Sequence, residues 1–177
     1  MRAAALALLP VLAACASAPK PPQVPAALQV PAGQSLQLEA LASGVQIYDC
    51  AAKADGSGPA WAFRLPEASL VDRAGKPLGK HYAGPTWESL DGSRVVGEVK
   101  ARDPGPTPAT AIPWLLLAAK NNTLVVGPSV AGGVFSETKS IQRVSTDGGV
   151  APAEACTSDK LGQVARVPYT ATYYFYR

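Results

Sequence analysis

The sequence predicts an all-β single domain, an antiparallel sandwich or barrel with at most short helices and one disulfide, and three observations carry that prediction. The last segment alternates strictly. Val167, Tyr169, Ala171, Tyr173 and Phe175 fall on one face, and Arg166, Thr170, Thr172, Tyr174 and Tyr176 on the other, the period-two pattern of a strand with one buried side. The 16 glycines and 17 prolines of this 177-residue chain are too frequent for long helices, whose interiors glycine weakens and proline breaks. Finally, turn signals recur between short apolar runs, and no period of 20 to 50 residues marks a repeat array.

Taken in order, residues 36–41 alternate Leu36, Leu38 and Ala40 with Gln37, Glu39 and Leu41, and residues 45–50 form a second β-favouring run after Ser43-Gly44. This reads as two paired strands. Residues 60–65 alternate again between Gly56-Ser57-Gly58-Pro59 and Pro66, and a further short strand follows at 69–72. Residues 87–90 and 94–101 flank Asp91-Gly92-Ser93, the composition of a hairpin turn, and place Val95, Gly97, Val99 and Ala101 on one face. The most apolar run outside the first residues is 111–119; Lys120-Asn121-Asn122 then turns into 123–126, giving a buried hairpin. A short helix through Trp114 to Lys120 is the alternative that periodicity leaves open.

The N-terminus is a targeting segment. Arg2, an apolar stretch from Ala3 to Val11 and then small residues form an export signal, too short for the about 20 apolar residues that span a bilayer. At Leu12-Ala13-Ala14-Cys15 it resembles the signals of bacterial lipoproteins. That resemblance implies cleavage after residue 14 and a diacylglyceryl group on the Cys15 thiol. The rival is ordinary secretion with cleavage after Ala16-Ser17-Ala18, which would put Pro19 just past the cut. Ala16, where Asp would retain the protein at the inner membrane of enteric-type bacteria, leans toward sorting to the periplasmic face of the outer membrane. A lipid anchor, at about 0.8 kcal/mol per buried methylene, holds an ordinary water-soluble domain on a membrane.

The division expected is therefore a signal over 1–14, a proline-rich tether over 15–29, where Pro19, Pro21, Pro22 and Pro25 favour extended conformations, and a β domain over 30–177. With Cys15 acylated, Cys50 and Cys156 remain, an even pair that in an exported protein reads as one disulfide. Closing a loop of about a hundred residues would stabilise the fold by roughly 4 to 5 kcal/mol on the chain-entropy model. It would also bring residues 48–50 beside the loop preceding the C-terminal strand.

Several blocks carry a family resemblance: Gly79-Lys80-His81-Tyr82-Ala83-Gly84-Pro85-Thr86-Trp87-Glu88, Asp91-Gly92-Ser93, Ile112-Pro113-Trp114-Leu115-Leu116, Ile141-Gln142-Arg143-Val144-Ser145-Thr146-Asp147-Gly148-Gly149, and the run from Pro168 to Tyr176. Together, and in this order, they resemble the domain of unknown function 3455 family of exported bacterial and fungal proteins. The resemblance implies one intact domain and brings no catalytic residue with it.

Charge excludes one class of function. The net charge of +3 becomes +2, 15 basic against 13 acidic residues, once Arg2 leaves with the signal, and the scattered Lys and Arg residues make no phosphate-binding stripe, so no nucleic-acid partner is expected. The candidate ligand-binding residues are His81, Trp87, Glu88, Asp91, Gln142 and Arg143. His81, the single histidine, lies near Glu88 and Asp91 in sequence; one imidazole and two carboxylates are the groups of acid–base or metal chemistry. One histidine is a poor zinc set, and no Gly-x-Ser-x-Gly elbow is present, so no metal and no cofactor is expected. The bland reading puts His81 in a loop and Trp87 in the core. The function expected is a membrane-anchored envelope lipoprotein, more a non-catalytic ligand- or partner-binding domain than an enzyme. The alternatives are an enzyme or metal-binding protein using His81, Glu88 and Asp91, and a structural or stress-related envelope protein.

Overall fold

The computed structural model describes residues 19–127 and 130–177; the expected signal, the expected acylation site Cys15 and the start of the expected tether lie outside them. The chain forms β1 (Leu36–Ala52), β2 (Pro59–Val71), β3 (Pro77–Tyr82), β4 (Thr86–Ser89), β5 (Arg94–Asp103), β6 (Trp114–Thr123), β7 (Val125–Gly127), β8 (Val130–Gly132), β9 (Ser140–Gly148) and β10 (Val164–Tyr176). Eight of these close an antiparallel barrel in the order β1-β10-β9-β6-β5-β4-β3-β2, and β7 and β8 make a separate two-stranded hairpin. Neighbours in the barrel are consecutive in the chain apart from that hairpin and from the closure of β1 on β10. It is an up-and-down meander, the topology that removes sheet edges altogether.

Several strands are longer than the sequence suggests. The pairs read as separate, 36–41 with 45–50 and 60–65 with 69–72, are the single strands β1 and β2, which pair with each other along 41–52 and 59–71. Gly44 is not a turn residue. A Cβ there would sit 2.0 Å from the Glu67 carbonyl oxygen and 2.5 Å from the Ala68 Cα, so glycine allows β2 to press against β1. Pro66 lies inside β2, opposite Gln46, where β3 has not yet begun to pair, since the β2–β3 ladder starts at Ala68. A missing N–H need not break a ladder there.

The hairpin across Asp91-Gly92-Ser93 forms as expected between β4 and β5. The turn read at 120–122 does not: β6 runs straight through it, and neither a hairpin nor a helix occupies 114–120. One extra residue, Lys120, is accommodated by a bulge between Val96 and Gly97 of β5. The Asn122 amide donates to the Phe135 and Thr138 carbonyls at 2.7 and 3.0 Å, holding a loop in place instead of turning the chain. A second bulge, between Val99 and Ala101, corrects the predicted face. Val95, Gly97 and Val99 point inward, but Arg102 and not Ala101 lies opposite the buried Leu115.

The core is the barrel interior. Trp87, Leu70, Val95, Leu117, Ile141, Tyr173 and Phe175 are buried there with Ala40 and Ala42. Gly97 leaves room for the indole: a Cβ on it would lie 2.9 Å from Trp87 Cζ3. The alternating C-terminal strand behaves as predicted on its inner face, while Tyr174 and Tyr176 on the other, which a strand with one buried side would leave partly exposed, are buried as well. They are buried with Val144 under Val24, Val30, Leu36 and Trp114. The proline-rich stretch is thus docked on the barrel wall from Val24 onward, and Leu28 is fully buried.

The two ends of the barrel differ. One is sealed by the loop between β8 and β9, where Phe135 is buried and packs on Phe175 with ring centroids 4.7 Å apart. At the other, β1, β2 and β10 extend past their neighbours, and the β9–β10 connection crosses beside them, tied by the predicted Cys50–Cys156 disulfide over a separation of 106 residues. Backbone bonds from Cys50 N to Gln163 O and from Gly162 N to Cys50 O, 2.9 Å each, flank the disulfide. The result is a cup with a closed floor and one open mouth.

Candidate functional site

The mouth opens into a cavity of about 460 Å³ lined by Gln46, Tyr48, Phe63, Arg64, Leu65, Pro66, His81, Gly84, Pro85, Val99, Arg102, Ile112, Pro113, Leu115 and Arg143. Its walls are largely aliphatic and proline surface, into which a few polar groups converge, the usual make-up of a small-molecule site.

Arg143 enters this space because β9 alternates. Ile141 and Arg143 lie opposite Phe175 and Tyr173 of β10 on the inner face, and Gln142 lies opposite Tyr174 on the outer. The guanidinium is fixed by two hydrogen bonds to one acceptor, Nε and Nη2 to the Pro113 carbonyl at 3.1 and 2.8 Å. Its remaining N–H groups face the Tyr173 hydroxyl and the cavity. Arg102 reaches the same cavity through the bulge in β5, a device that re-aims a side chain at a barrel rim. Arg64 is the residue by which β2 exceeds β1 at a further bulge, between Ile47 and Tyr48, and pairs with Asp49 at 3.0 Å.

His81 is not in a loop but on β3, directly opposite Trp87 of β4. Its ring stacks on the indole, centroids 4.4 Å apart at 12°, and meets Tyr173 edge-on at 5.1 Å. Nδ1 is 2.9 Å from the Thr86 carbonyl; that oxygen can only accept, so Nδ1 carries the proton and Nε2 is left as the acceptor. Burial pushes the imidazole pKa down to about 3, against the pull of the Thr86 carbonyl and with help from the Arg143 charge. A neutral imidazole of such low basicity is a poor acid–base catalyst near pH 7.

Around these groups lies unspent hydrogen-bonding capacity. Among the described residues, Gln46 Nε2 and the Tyr169 and Tyr173 hydroxyls are buried without a well-formed hydrogen bond, although Tyr169 lies near Gln46 and Tyr173, and Tyr173 near Arg143. Burial pushes both phenols well above their ordinary range, and proximity to Tyr173 adds to the shift at Tyr169. Tyr48, by contrast, donates to the Gly149 carbonyl at 2.6 Å, bracing the β9–β10 connection. Gly149 packs so closely that a Cβ would fall 2.8 Å from Tyr169 Cβ and 3.0 Å from Gln46 Cγ.

The structure therefore brings His81 and Arg143 together at one cavity, with Trp87 behind the imidazole as core, and separates the other candidates. Glu88 is on the outer face of β4, one residue out of phase with Trp87, paired with Lys80 at 3.3 Å and Arg94 at 3.0 Å. The Tyr82 hydroxyl donates to it at 2.7 Å, and that bond, with Lys80 and Arg94, holds its carboxyl below the usual range. Asp91 sits in the β4–β5 turn at the sealed end. It accepts from Ser93 N at 2.8 Å, from Ser93 Oγ at 2.6 Å and from Val134 N at 2.8 Å; these bonds outweigh its partial burial and keep its pKa low. Gln142, on the outer wall, donates to the Leu28 carbonyl at 2.7 Å and accepts from Tyr176 at 2.6 Å. It pins the N-terminal segment. A catalytic or metal site built from His81, Glu88 and Asp91 is not assembled by this geometry, and no group of three His, Cys, Asp or Glu side chains suited to a metal occurs among the described residues.

Gln46, Tyr48 and Arg102 line the site without having been singled out, and Tyr169 and Tyr173 are buried beside Gln46 and Arg143. A signal existed for Gln46, a lone amide between Val45 and Ile47. None existed for Arg102, which depends on a bulge.

Fold and cavity together define the class: a closed eight-stranded meander barrel, floored at one end and open at the other over a cationic, donor-rich interior. The chain belongs to the family described as Protein of unknown function (DUF3455), whose model matches residues 31–177. No curated protein and no solved structure matches it.

Proposed function

We propose that this chain is a lipid-anchored envelope protein whose barrel is a non-catalytic binding module, with a small ligand seated in the mouth cavity. The observation that carries the reading is the cavity itself. It has a fixed apolar wall and a fixed guanidinium, and its imidazole is held neutral. Such a constellation suits holding a molecule better than transforming one. The anchor rests on Leu12-Ala13-Ala14-Cys15 and on the parity of the cysteines, since the other two form the disulfide.

Methyl-resolved NMR with a fragment library tests the binding reading. Hits should shift the methyls of Val99, Ile112 and Leu115, which line the cavity, and leave Leu124 and Leu161 still. A library that produces no shift at the mouth sinks the reading. For the anchor, intact mass of the chain extracted from membranes should show a mature N-terminus at Cys15 with acyl mass; a start at Pro19 without it contradicts the anchor.

A further inference from the structure

From the chemistry of the mouth we infer that the ligand is a small amphipathic monocarboxylate, its head on Arg143 and its apolar body along the aliphatic wall. This rests on the reading of the mouth as a binding cavity and deepens it. The residues lining the cavity include Arg64, Arg102 and Arg143 and no Asp or Glu, so an incoming anion meets no like charge on the lining. Arg64 is already paired with Asp49, and its side chain is 44% exposed. Arg143 is the more enclosed cation and is held in a fixed orientation by Pro113.

The uncommitted groups point the same way. Gln46 lines the cavity at 2% exposure, and its Nε2 is a buried donor without a partner. The Tyr173 hydroxyl, on the residue opposite Arg143, is not on the cavity lining and lies near Tyr169 and Arg143, so it backs the guanidinium instead of facing the ligand. A buried donor left unpaired is costly, and an acceptor-rich head that takes the Gln46 amide together with the free N–H groups of Arg143 removes the cost. A singly charged, planar carboxylate matches one fixed guanidinium edge. The second charge of a dianionic phosphate would have only the exposed rim cation Arg102 to meet it, since Arg64 is paired with Asp49. Leu65, Pro66, Val99, Ile112 and Leu115 then cover a hydrocarbon or aromatic body, which a bare inorganic anion would leave unused.

The test is a matched pair, 3-phenylpropionate and the neutral 3-phenylpropionamide, titrated to about 10 mM, well past the weak-binding range, against the full chain in detergent micelles, with the same methyl signals as readout. The acid should bind at least about tenfold more tightly than the amide, as expected for a charge-assisted pair. Arg143→Gln should erase that preference by weakening the acid at least about tenfold more than it weakens the amide, and Arg143→Lys should restore part of it. Arg102→Gln, at the rim, should weaken the acid only a few-fold, and it serves as the second variant should Arg143→Gln fail to fold. Equal binding of acid and amide overturns the carboxylate inference and leaves the binding cavity standing. Movement of neither set of methyls overturns both. Retention of the acid preference in Arg143→Gln overturns the assignment of the head to Arg143.

Discussion

Truncating Trp87 to alanine is expected to destabilise the barrel by about 3 to 5 kcal/mol, toward the upper end of that range. The indole is 1% exposed, stacks on His81, and meets Tyr173 and Phe175 edge-on at 5.3 and 6.0 Å. Its neighbours belong to β3 and β10, and Gly97 on β5 exists in the form it does to admit the ring. A closed barrel cannot slide one layer inward to fill the gap, so most of the cavity would persist. At about 2 to 4 °C per kcal/mol for a domain of this size, thermal unfolding should fall by roughly 10 to 15 °C. Trp87→Phe should lose less, since it keeps an aromatic ring and removes the indole N–H, which has no partner among the described residues. Calorimetry of the two variants checks this, and a Trp87→Ala protein within about 1 kcal/mol of the parent would refute the central packing role.

The second large effect is an acid sensitivity set by His81. Its folded-state pKa is pushed down to about 3 by burial, against about 6.5 in an unfolded chain. Between those values the unfolded state binds a proton that the folded state refuses, so stability is fully present above about pH 6.5 and declines as pH falls toward 3. From pH 7.5 to pH 4.5 this one group should cost about 2 to 3 kcal/mol. Asp91 and Glu88, whose pKa values are lowered by their hydrogen bonds, lose their contributions only as pH falls below the ordinary carboxylate range of about 4. Urea unfolding across this interval isolates the histidine. His81→Phe keeps the ring on Trp87, gives up the bond to Thr86, and should show a nearly flat profile from pH 7.5 to 4.5. Parallel profiles for the variant and the parent would remove His81 as the cause.

How much of this could be read from the residues depends on what each signal reports. The strict alternation of 167–176 identified the inner face of β10 because side-chain period is a local property. The disulfide followed from cysteine parity, and the β4–β5 hairpin from Asp91-Gly92-Ser93. Gly44 and Pro66 misled because both are punctuation in a short window, whereas here one admits a neighbouring strand and the other falls where β2 lacks a second partner. Proximity in sequence also misled. His81 and Glu88 are seven positions apart, yet the hairpin places Trp87 opposite His81 and so sends Glu88 to the other side of the sheet. Arg143 was legible as a candidate but not its company: the bulge that turns Arg102 inward is set by the register of β5 against β6, which no single segment encodes.

The open mouth of the barrel is the proposed binding site, and a methyl shift map tests it most directly. Titration of the full chain with 3-phenylpropionate should move Val99, Ile112 and Leu115 together, to saturation, with a common dissociation constant. Shifts confined to the outer surface, or a mouth that stays silent while the rest of the barrel remains folded, would contradict it.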